Sequence, residues 1–164
     1  MPVLAIDEGN EYSGYCVLLD DYTPVDFGKV PNMELLEHIV EVARKYKGVT
    51  LAIEKFESYG MPVGKSVFDS CVWAGRFIQE CQRCNIDYTW VSRKDEKIVI
   101  CGSMKANDTT IRHALIDMFC DHDYKSGKGT VKNPDFFHGF KADVWSAFAI
   151  GYVYLQQGGV KRED

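Results

Sequence analysis

Three carboxylates stand at the ends of apolar runs that are far apart in the chain. Asp7 and Glu54 each close a short apolar run, and Asp143 opens a long one. A carboxylate that follows a buried strand loses solvation unless it is paired or binds a cation. Several such groups brought together supply the hard oxygen ligands that Mg²⁺ prefers. The pattern therefore predicts a magnesium site and phosphodiester chemistry.

The hydrophobic periodicity predicts the elements that must position these carboxylates. Strands are predicted at residues 3–7, 13–19, 27–30, 49–54 and 88–91, and helices at residues 32–47, 68–81, 108–119 and 140–156. Asn32 and Asp108 are the predicted helix caps. The first three strands form an antiparallel meander, and alternating helices and strands follow. This order predicts an α/β domain over residues 1–164, with one mixed five-stranded sheet flanked by helices.

The segment from Asp121 to His138 fits none of these periodic patterns. It contains glycine, proline and three lysines, and it is predicted to be an irregular loop. A loop of this length inside a compact domain is often functional.

Length and composition agree with one soluble domain. The chain has 164 residues, of which 46% are hydrophobic, and this is enough to bury a substantial core. No apolar run approaches the roughly 20 residues that a membrane span requires. The N-terminus has no secretory leader. We therefore expect a cytoplasmic protein without a membrane partner.

The six cysteines are predicted to be reduced, because the chain shows no export signal. The pair Cys81 and Cys84 has the spacing of half a zinc site. The other cysteines and histidines lack a second matching pair, so zinc is disfavoured. The pair also falls at the end of a predicted helix, which disfavours a thioredoxin-like role.

The net charge of −5 is unevenly distributed along the chain. Residues 55–132 carry 12 basic and 10 acidic side chains, whereas residues 1–54 carry 4 basic and 10 acidic ones. Phosphate binding depends on a local basic face and not on total charge. A nucleic-acid surface built from the middle of the chain is therefore compatible with the composition, and a solvated surface of mixed charge is the alternative.

Several short segments are more informative together, in their order along the chain, than any one of them is alone. They are Ala5-Ile6-Asp7 followed by Gly9 and Ser13-Gly14-Tyr15, then Ala52-Ile53-Glu54, Gly75-Arg76-Phe77, Lys97 with Gly102, and Lys141-Ala142-Asp143. In this order they resemble the RuvC-type Holliday-junction resolvases, which have a ribonuclease-H-like fold. The resemblance covers the whole chain. It looks closest to short RuvC-like proteins of bacteriophages, so a bacterial host cytoplasm is implied.

The resemblance implies a metal-dependent endonuclease that cleaves branched DNA. Asp7 would bridge two Mg²⁺ ions, for which Mn²⁺ can substitute, and Glu54 and Asp143 would each complete one site. The ions would activate water for in-line attack and stabilise the leaving 3′ oxygen. Lys97 would stabilise the transition-state phosphate, and a surface lysine is the alternative. Two sites related by a two-fold axis are needed to resolve a four-way junction, so a homodimer is implied.

The resemblance also indicates DNA contacts. Phe56 and Tyr59 follow Glu54, where relatives place an aromatic ring that stacks on an unpaired base. Core packing is the alternative for Phe56. Arg93, Lys97 and Lys105 are the predicted phosphate contacts.

The chain departs from the family one helical turn before Asp143. Relatives place a second acid or a histidine there, which shares a face with the final aspartate, whereas this chain has Phe140. We predict His138 as the substitute, as a metal ligand or proton carrier, because Gly139 can turn the backbone toward Asp143. A surface histidine is the alternative.

Two other function classes stay open. One is a nucleic-acid-binding module of the same fold whose catalysis has decayed. The other is a nucleotide phosphotransferase, because Asp7 and Gly9 also match the phosphate-binding turn of the actin and sugar-kinase superfamily. The second would need another large domain, so it is disfavoured.

Overall fold

Five strands form one sheet in the computed structural model, which describes residues 1–158. They are β1 (Val3–Asp7), β2 (Tyr12–Leu18), β3 (Pro24–Pro31), β4 (Thr50–Lys55) and β5 (Tyr88–Ser92). Their spatial order is β3-β2-β1-β4-β5. The first three strands are antiparallel, whereas β4 runs parallel to β1 and β5 runs parallel to β4. The predicted mixed sheet is confirmed.

Helices cover both faces of this sheet. They are α1 (Asn32–Lys45), α2 (Lys65–Arg83), α3 (Arg93–Glu96), α4 (Asp108–Phe119) and α5 (Asp143–Gln156), with one π-helical turn at Lys97–Cys101. Leu4 and Ile6 of β1 pack in the core beneath α1 and α2, whereas Val3 and Ala5 pack in the core beneath α4 and α5. Because successive side chains of a strand point to opposite faces, β1 contributes residues to the core on each side of the sheet.

The last helix, α5, is buried along most of its 14 residues, as its uniformly apolar sequence predicts. At Gly151 it approaches the sheet so closely that a Cβ would lie 2.5 Å from Leu18 Cδ1. Only glycine allows this approach. No helix within residues 1–158 has the length and apolar character needed to cross a membrane.

The predicted cap of α1 is wrong, because the N-cap is Pro31 and Asn32 is already the first helical residue. The Asn32 side chain serves another purpose. Its Nδ2 donates to the Gly9 carbonyl oxygen at 2.9 Å, and its Oδ1 accepts from the Ser13 hydroxyl at 2.7 Å. These bonds fix the turn that follows Asp7, so this polar residue stabilises the candidate site rather than the helix end.

The start of the fourth helix also differs from the prediction. Asn107 is the N-cap of α4 and forms a capping box with Thr110. Asp108 is the first helical residue and is free to pair elsewhere.

The short helix α3 and the π-helical turn were not indicated by the sequence. The charged run at residues 93–97 resembles a solvated loop, and four residues are too few for helical periodicity to show. Ser92 caps α3, because its hydroxyl accepts from the Asp95 backbone N–H at 3.0 Å. The chain therefore continues directly from β5 into a helical segment that faces the sheet edge.

All six cysteines are free, as predicted. Cys16, Cys81 and Cys120 are buried, whereas Cys71 is exposed on α2.

The predicted irregular loop between Asp121 and His138 is organised by one buried carboxylate. The Asp135 side chain is 2% exposed. Burial disfavours its charged form, but hydrogen bonds from the backbone outweigh burial and hold the pKa of Asp135 well below its usual range. The four donors are the backbone N–H groups of Asp121, His122, Asp123 and Phe136.

Asp135→Asn should destabilise the fold at neutral pH by about 1–3 kcal/mol, because an amide cannot accept all of these bonds. Since the folded-state pKa is lowered, the stabilisation is present above the unfolded pKa of about 3.9 and is lost as the pH falls through the folded value. Urea unfolding should therefore show a difference in unfolding free energy between the wild type and Asp135→Asn, and this difference should be smaller at pH 3 than at pH 7. Asp121→Asn, at an exposed position of the same loop, is the control. An equal loss of stability in Asp135→Asn and Asp121→Asn would contradict the stabilising role of the Asp135 carboxylate.

Candidate active site

Asp7 and Glu54 lie side by side at one edge of the sheet. Asp7 is the last residue of β1, and Glu54 is the penultimate residue of β4. The strands are parallel neighbours with Ile6 opposite Ile53, so the next residues of both strands are adjacent. Because β1 and β4 are buried inner strands, the two carboxylates have a rigid support.

Asp143 reaches the same edge because α5 begins against β2. Gly14 of β2 is paired with Asp7. A Cβ on Gly14 would lie 2.5 Å from the Asp143 carbonyl oxygen and 2.7 Å from the Asp143 Cβ. Gly14 therefore leaves the space that Asp143 occupies. The preceding Ala142 has φ 48° and ψ −127°, which costs a non-glycine residue about 1–3 kcal/mol. This strained residue starts α5 abruptly at Asp143.

The charges of Glu54 and Asp143 act on the ionisation of Asp7. Burial, followed by the charges of Glu54 and Asp143, raises the pKa of Asp7 to about 8. Burial also raises the pKa of Glu54, against the opposing effect of Arg93. The chain thus brings together acids that resist ionising together, and a divalent cation is the species that relieves such repulsion.

Two cations contact the acids at this edge. Lys29 Nζ lies 2.8 Å from Asp143 Oδ2, and this hydrogen bond and the charge of Asp143 raise the pKa of Lys29. Arg93 Nη1 lies 3.4 Å from Glu96 Oε1, and Arg93 Nη2 forms an ion pair with Asp108. Arg93 was predicted to contact DNA, whereas nothing in the sequence pattern indicated Lys29.

Glu96 is a buried carboxylate that the sequence pattern did not indicate as a site residue. It is 0% exposed, and its Oε2 has no hydrogen-bond partner among residues 1–158. Burial, followed by the charge of Glu54, raises the pKa of Glu96 to about 9. Together with Asp108 and Asp143 it lines a cavity of about 200 Å³. One signal was available, because Glu96 precedes the buried Ile100 by one helical turn.

Glu8 is a second buried carboxylate that the sequence pattern did not indicate. It is 6% exposed, and neither carboxylate oxygen has a hydrogen-bond partner in the described chain. Burial raises its pKa well above the usual range. It follows Asp7 directly and faces α2, where burial and the charge of Glu8 raise the pKa of the Cys71 thiol. Glu8 does not line the cavity that Glu96 shares with Asp143.

The predicted DNA-contacting residues differ in exposure. Phe56 is partly buried and packs against the core beneath α1 and α2, which favours its structural alternative. Tyr59 is 66% exposed in the segment after β4. Lys97 is partly exposed in the π-helical turn, and Lys105 is exposed before α4. Their contacts with DNA stay predictions.

His138 lies in the loop and is exposed. Its Nδ1 is 3.1 Å from the Lys128 carbonyl oxygen, and its backbone N–H donates to the Asp135 carbonyl oxygen at 3.0 Å. Phe140, which precedes Asp143 by three residues and lies outside α5, is 1% exposed and packs among aromatic rings. The structure therefore gives His138 partners within the loop, and its role as a metal ligand or proton carrier stays a prediction.

The donor chemistry of this edge suits a divalent metal ion, because all the acids offer hard carboxylate oxygens and Glu96 has one without a partner. Within residues 1–158, no group of three or more His, Cys, Asp or Glu side chains is arranged to hold an ion. Arg93 and Lys29 supply the positive charge instead. Binding of an ion would therefore require these side chains to rearrange.

A groove of about 540 Å³ adjoins the acidic edge. Its lining includes Tyr12, Phe27, Lys29 and Lys141. Lys29 joins the groove to the acids through its bond with Asp143. Tyr12 is 51% exposed and offers an aromatic surface on which a base can stack. The lysines offer charges for phosphates.

Two solved structures of RuvC from Thermus thermophilus are similar to the chain over 98% of its length. The chain has the ribonuclease-H-like fold of RuvC. One structure, RuvC in complex with a Holliday junction substrate, matches with a TM-score of 0.73 at 13% identity, over 98% of its own chain. The other, RuvC alone, matches with a TM-score of 0.71 at 13% identity, over 99% of its own chain. No protein-family model and no curated protein matches the sequence.

The similarity to RuvC confirms the predicted fold. It spans both strands that bear Asp7 and Glu54 and the helix that begins at Asp143.

Proposed function

We propose that the chain is a divalent-metal-dependent endonuclease that cleaves phosphodiester bonds in branched DNA. The observation that carries this proposal is the placement of Asp7, Glu54 and Asp143 at one sheet edge. The fold supports it, because a similar protein was solved with a Holliday junction. Mg²⁺ is the proposed cofactor, with Mn²⁺ as a substitute.

Each proposed ligand is positioned by a different element. Asp7 and Glu54 extend from the sheet centre, and Asp143 lies in the first turn of α5, where the helix dipole favours its ionised form. These three residues would hold the metal. When bound, divalent ions supply Lewis-acid activation of water and stabilisation of the leaving oxygen.

The neighbouring cations would orient the DNA strand. Lys29 and Arg93 lie next to the acids, so they are close to where a scissile phosphate would be. The groove between Tyr12 and Lys141 would accept the adjoining nucleotides. Lys97 and Lys105 remain the proposed outer phosphate contacts.

We propose that the active form is a homodimer. Symmetric cleavage of a four-way junction needs two active sites related by a two-fold axis, and the described chain has one such acidic edge.

A catalytically reduced DNA-binding module is the second candidate. It is favoured by the lack of a preformed metal group within residues 1–158 and by the buried Phe140 beside Asp143. The two candidates differ in one property, because only the nuclease cuts DNA when metal is added.

The deciding experiment is a cleavage assay on labelled four-way junctions, flaps, single strands and linear duplexes. The proposal expects cuts in branched DNA that require Mg²⁺ or Mn²⁺ and stop with EDTA. Binding to the same substrates should be measured in parallel. Salt-sensitive binding without cleavage would favour the binding module, and neither binding nor cleavage would reject both.

A further inference from the structure

Glu96 is the buried group at the acidic edge whose presence packing does not explain. It is 0% exposed and lies one helical turn before the buried Ile100. An apolar side chain at position 96 could fill the same buried space without the cost of burying a polar group. Arg93 pairs with its Oε1, so Oε2 is the atom for which the described chain provides no partner.

We propose that Glu96 is a further metal ligand of the active site, acting through its Oε2 in the cavity that it shares with Asp143. The inference rests on the proposed function. It assigns to Glu96 the role of ligand at this site that the sequence predicted for His138.

The hydrogen bonds of Glu96 support this role. Arg93 contacts only Oε1, at 3.4 Å, and it shares its guanidinium with Asp108. Oε2 has no hydrogen-bond partner in residues 1–158. A buried carboxylate oxygen without a partner is costly, whereas a carboxylate that binds a cation has its charge and lone pairs satisfied.

The surroundings of Glu96 support the choice of ion. The charges of both Glu54 and Asp7 act on it, so it belongs to the same acidic edge. The cavity of about 200 Å³ in front of it also contacts Asp143 and has room for an ion with bound waters. All the available ligand atoms are carboxylate oxygens, which favours Mg²⁺ or Mn²⁺ over softer metals.

Arg93 gives the site a way to accept the ion. In the metal-free chain, its guanidinium lies 3.4 Å from Glu96 Oε1. Asp108, which is 76% exposed, offers the same guanidinium a partner at the rim of the cavity. An ion beside Glu96 can therefore displace Arg93 toward Asp108 without leaving the guanidinium unpaired.

Calorimetric titration of the full chain with Mn²⁺ tests the inference without measuring cleavage. Glu96→Gln keeps the size of the side chain and removes its charge. It should weaken Mn²⁺ binding by about 10–100-fold, the range typical of lost support around a metal. Asp117→Asn is the matched control, because it removes one negative charge at an exposed position of α4 outside the cavity and leaves Glu96 in place. It should weaken binding by less than about threefold.

Wild-type affinity in Glu96→Gln would overturn the inference. Equal weakening in Asp117→Asn would also overturn it, because the effect would then depend only on the net charge of the chain. If the wild-type chain binds no Mn²⁺, the proposed function fails as well. If it binds Mn²⁺ and Glu96→Gln binds equally, only the role of Glu96 fails.

Thermal unfolding in EDTA checks that the variant folds. Glu96→Gln should melt at or above the wild-type temperature, because burial disfavours the charged form of Glu96 and an amide has no charged form. Adding Mn²⁺ should then raise the melting temperature of the wild type more than that of the variant. Glu96→Asp, which retains a carboxylate on a shorter side chain, should bind Mn²⁺ with intermediate affinity. Binding by Glu96→Asp as weak as that of Glu96→Gln would contradict direct ligation.

Discussion

Asp7→Asn should reduce cleavage of branched DNA to background while the fold and DNA binding are retained. A neutral amide cannot replace the carboxylate that would hold the metal ion. Loss of one negative charge near phosphates should, if anything, strengthen DNA binding. Single-turnover cleavage of a labelled junction and a binding titration in EDTA measure the two effects separately.

The same variant should be more stable than the wild type when no metal is present. Asp7 is half-buried beside Glu54 and Asp143, so the amide removes both a desolvation cost and a repulsion. Asp117→Asn, at an exposed position on α4, is the control and should cut at the wild-type rate. Cleavage by Asp7→Asn at a comparable rate would reject the metal-dependent mechanism.

Gly14→Ala should lower the cleavage rate by about 100-fold, the effect expected when a catalytic group is displaced by about 1 Å. The new Cβ would lie 2.5 Å from the Asp143 carbonyl oxygen, so α5 must shift away from β2. Overpacking of this kind also destabilises a fold by about 1–3 kcal/mol. Single-turnover cleavage and urea unfolding measure the two consequences.

Gly75→Ala is the matched control for this glycine substitution. Gly75 lies inside α2, and a Cβ there would meet nothing within 4 Å. The substitution should raise the free energy of unfolding by about 1 kcal/mol and leave cleavage unchanged. If Gly14→Ala behaves like Gly75→Ala, the close contact between β2 and α5 does not position Asp143.

The sequence predicted the sheet and the three carboxylates because both follow from local patterns. Asp7 and Glu54 each end an apolar strand, and parallel neighbours place such ends together. Asp143 begins a helix whose apolar sequence requires burial on the sheet. These inferences need no knowledge of which side chains meet in space.

The remaining features depend on contacts between distant residues. Asn32 has the residue type of a helix cap, but tertiary hydrogen bonds to Gly9 and Ser13 determine its role. Glu96 lies in a charged run that is typical of a solvated surface, and only the packing of α3 against the sheet edge buries it. Likewise, the partners of Arg93 and Lys29 are set by the tertiary fold.

The pairing of Lys29 with Asp143 and of Arg93 with Glu96 has a thermodynamic consequence. In the metal-free chain these cations are occupied by the carboxylates that an ion would use. An ion that took over the carboxylates would release Lys29, which would then become available to phosphates, whereas Arg93 would keep Asp108 as its partner. Because linkage between two ligands is reciprocal, DNA must tighten the binding of the ion by the same factor by which the ion tightens the binding of DNA. The site would then be filled most readily when its substrate is already present.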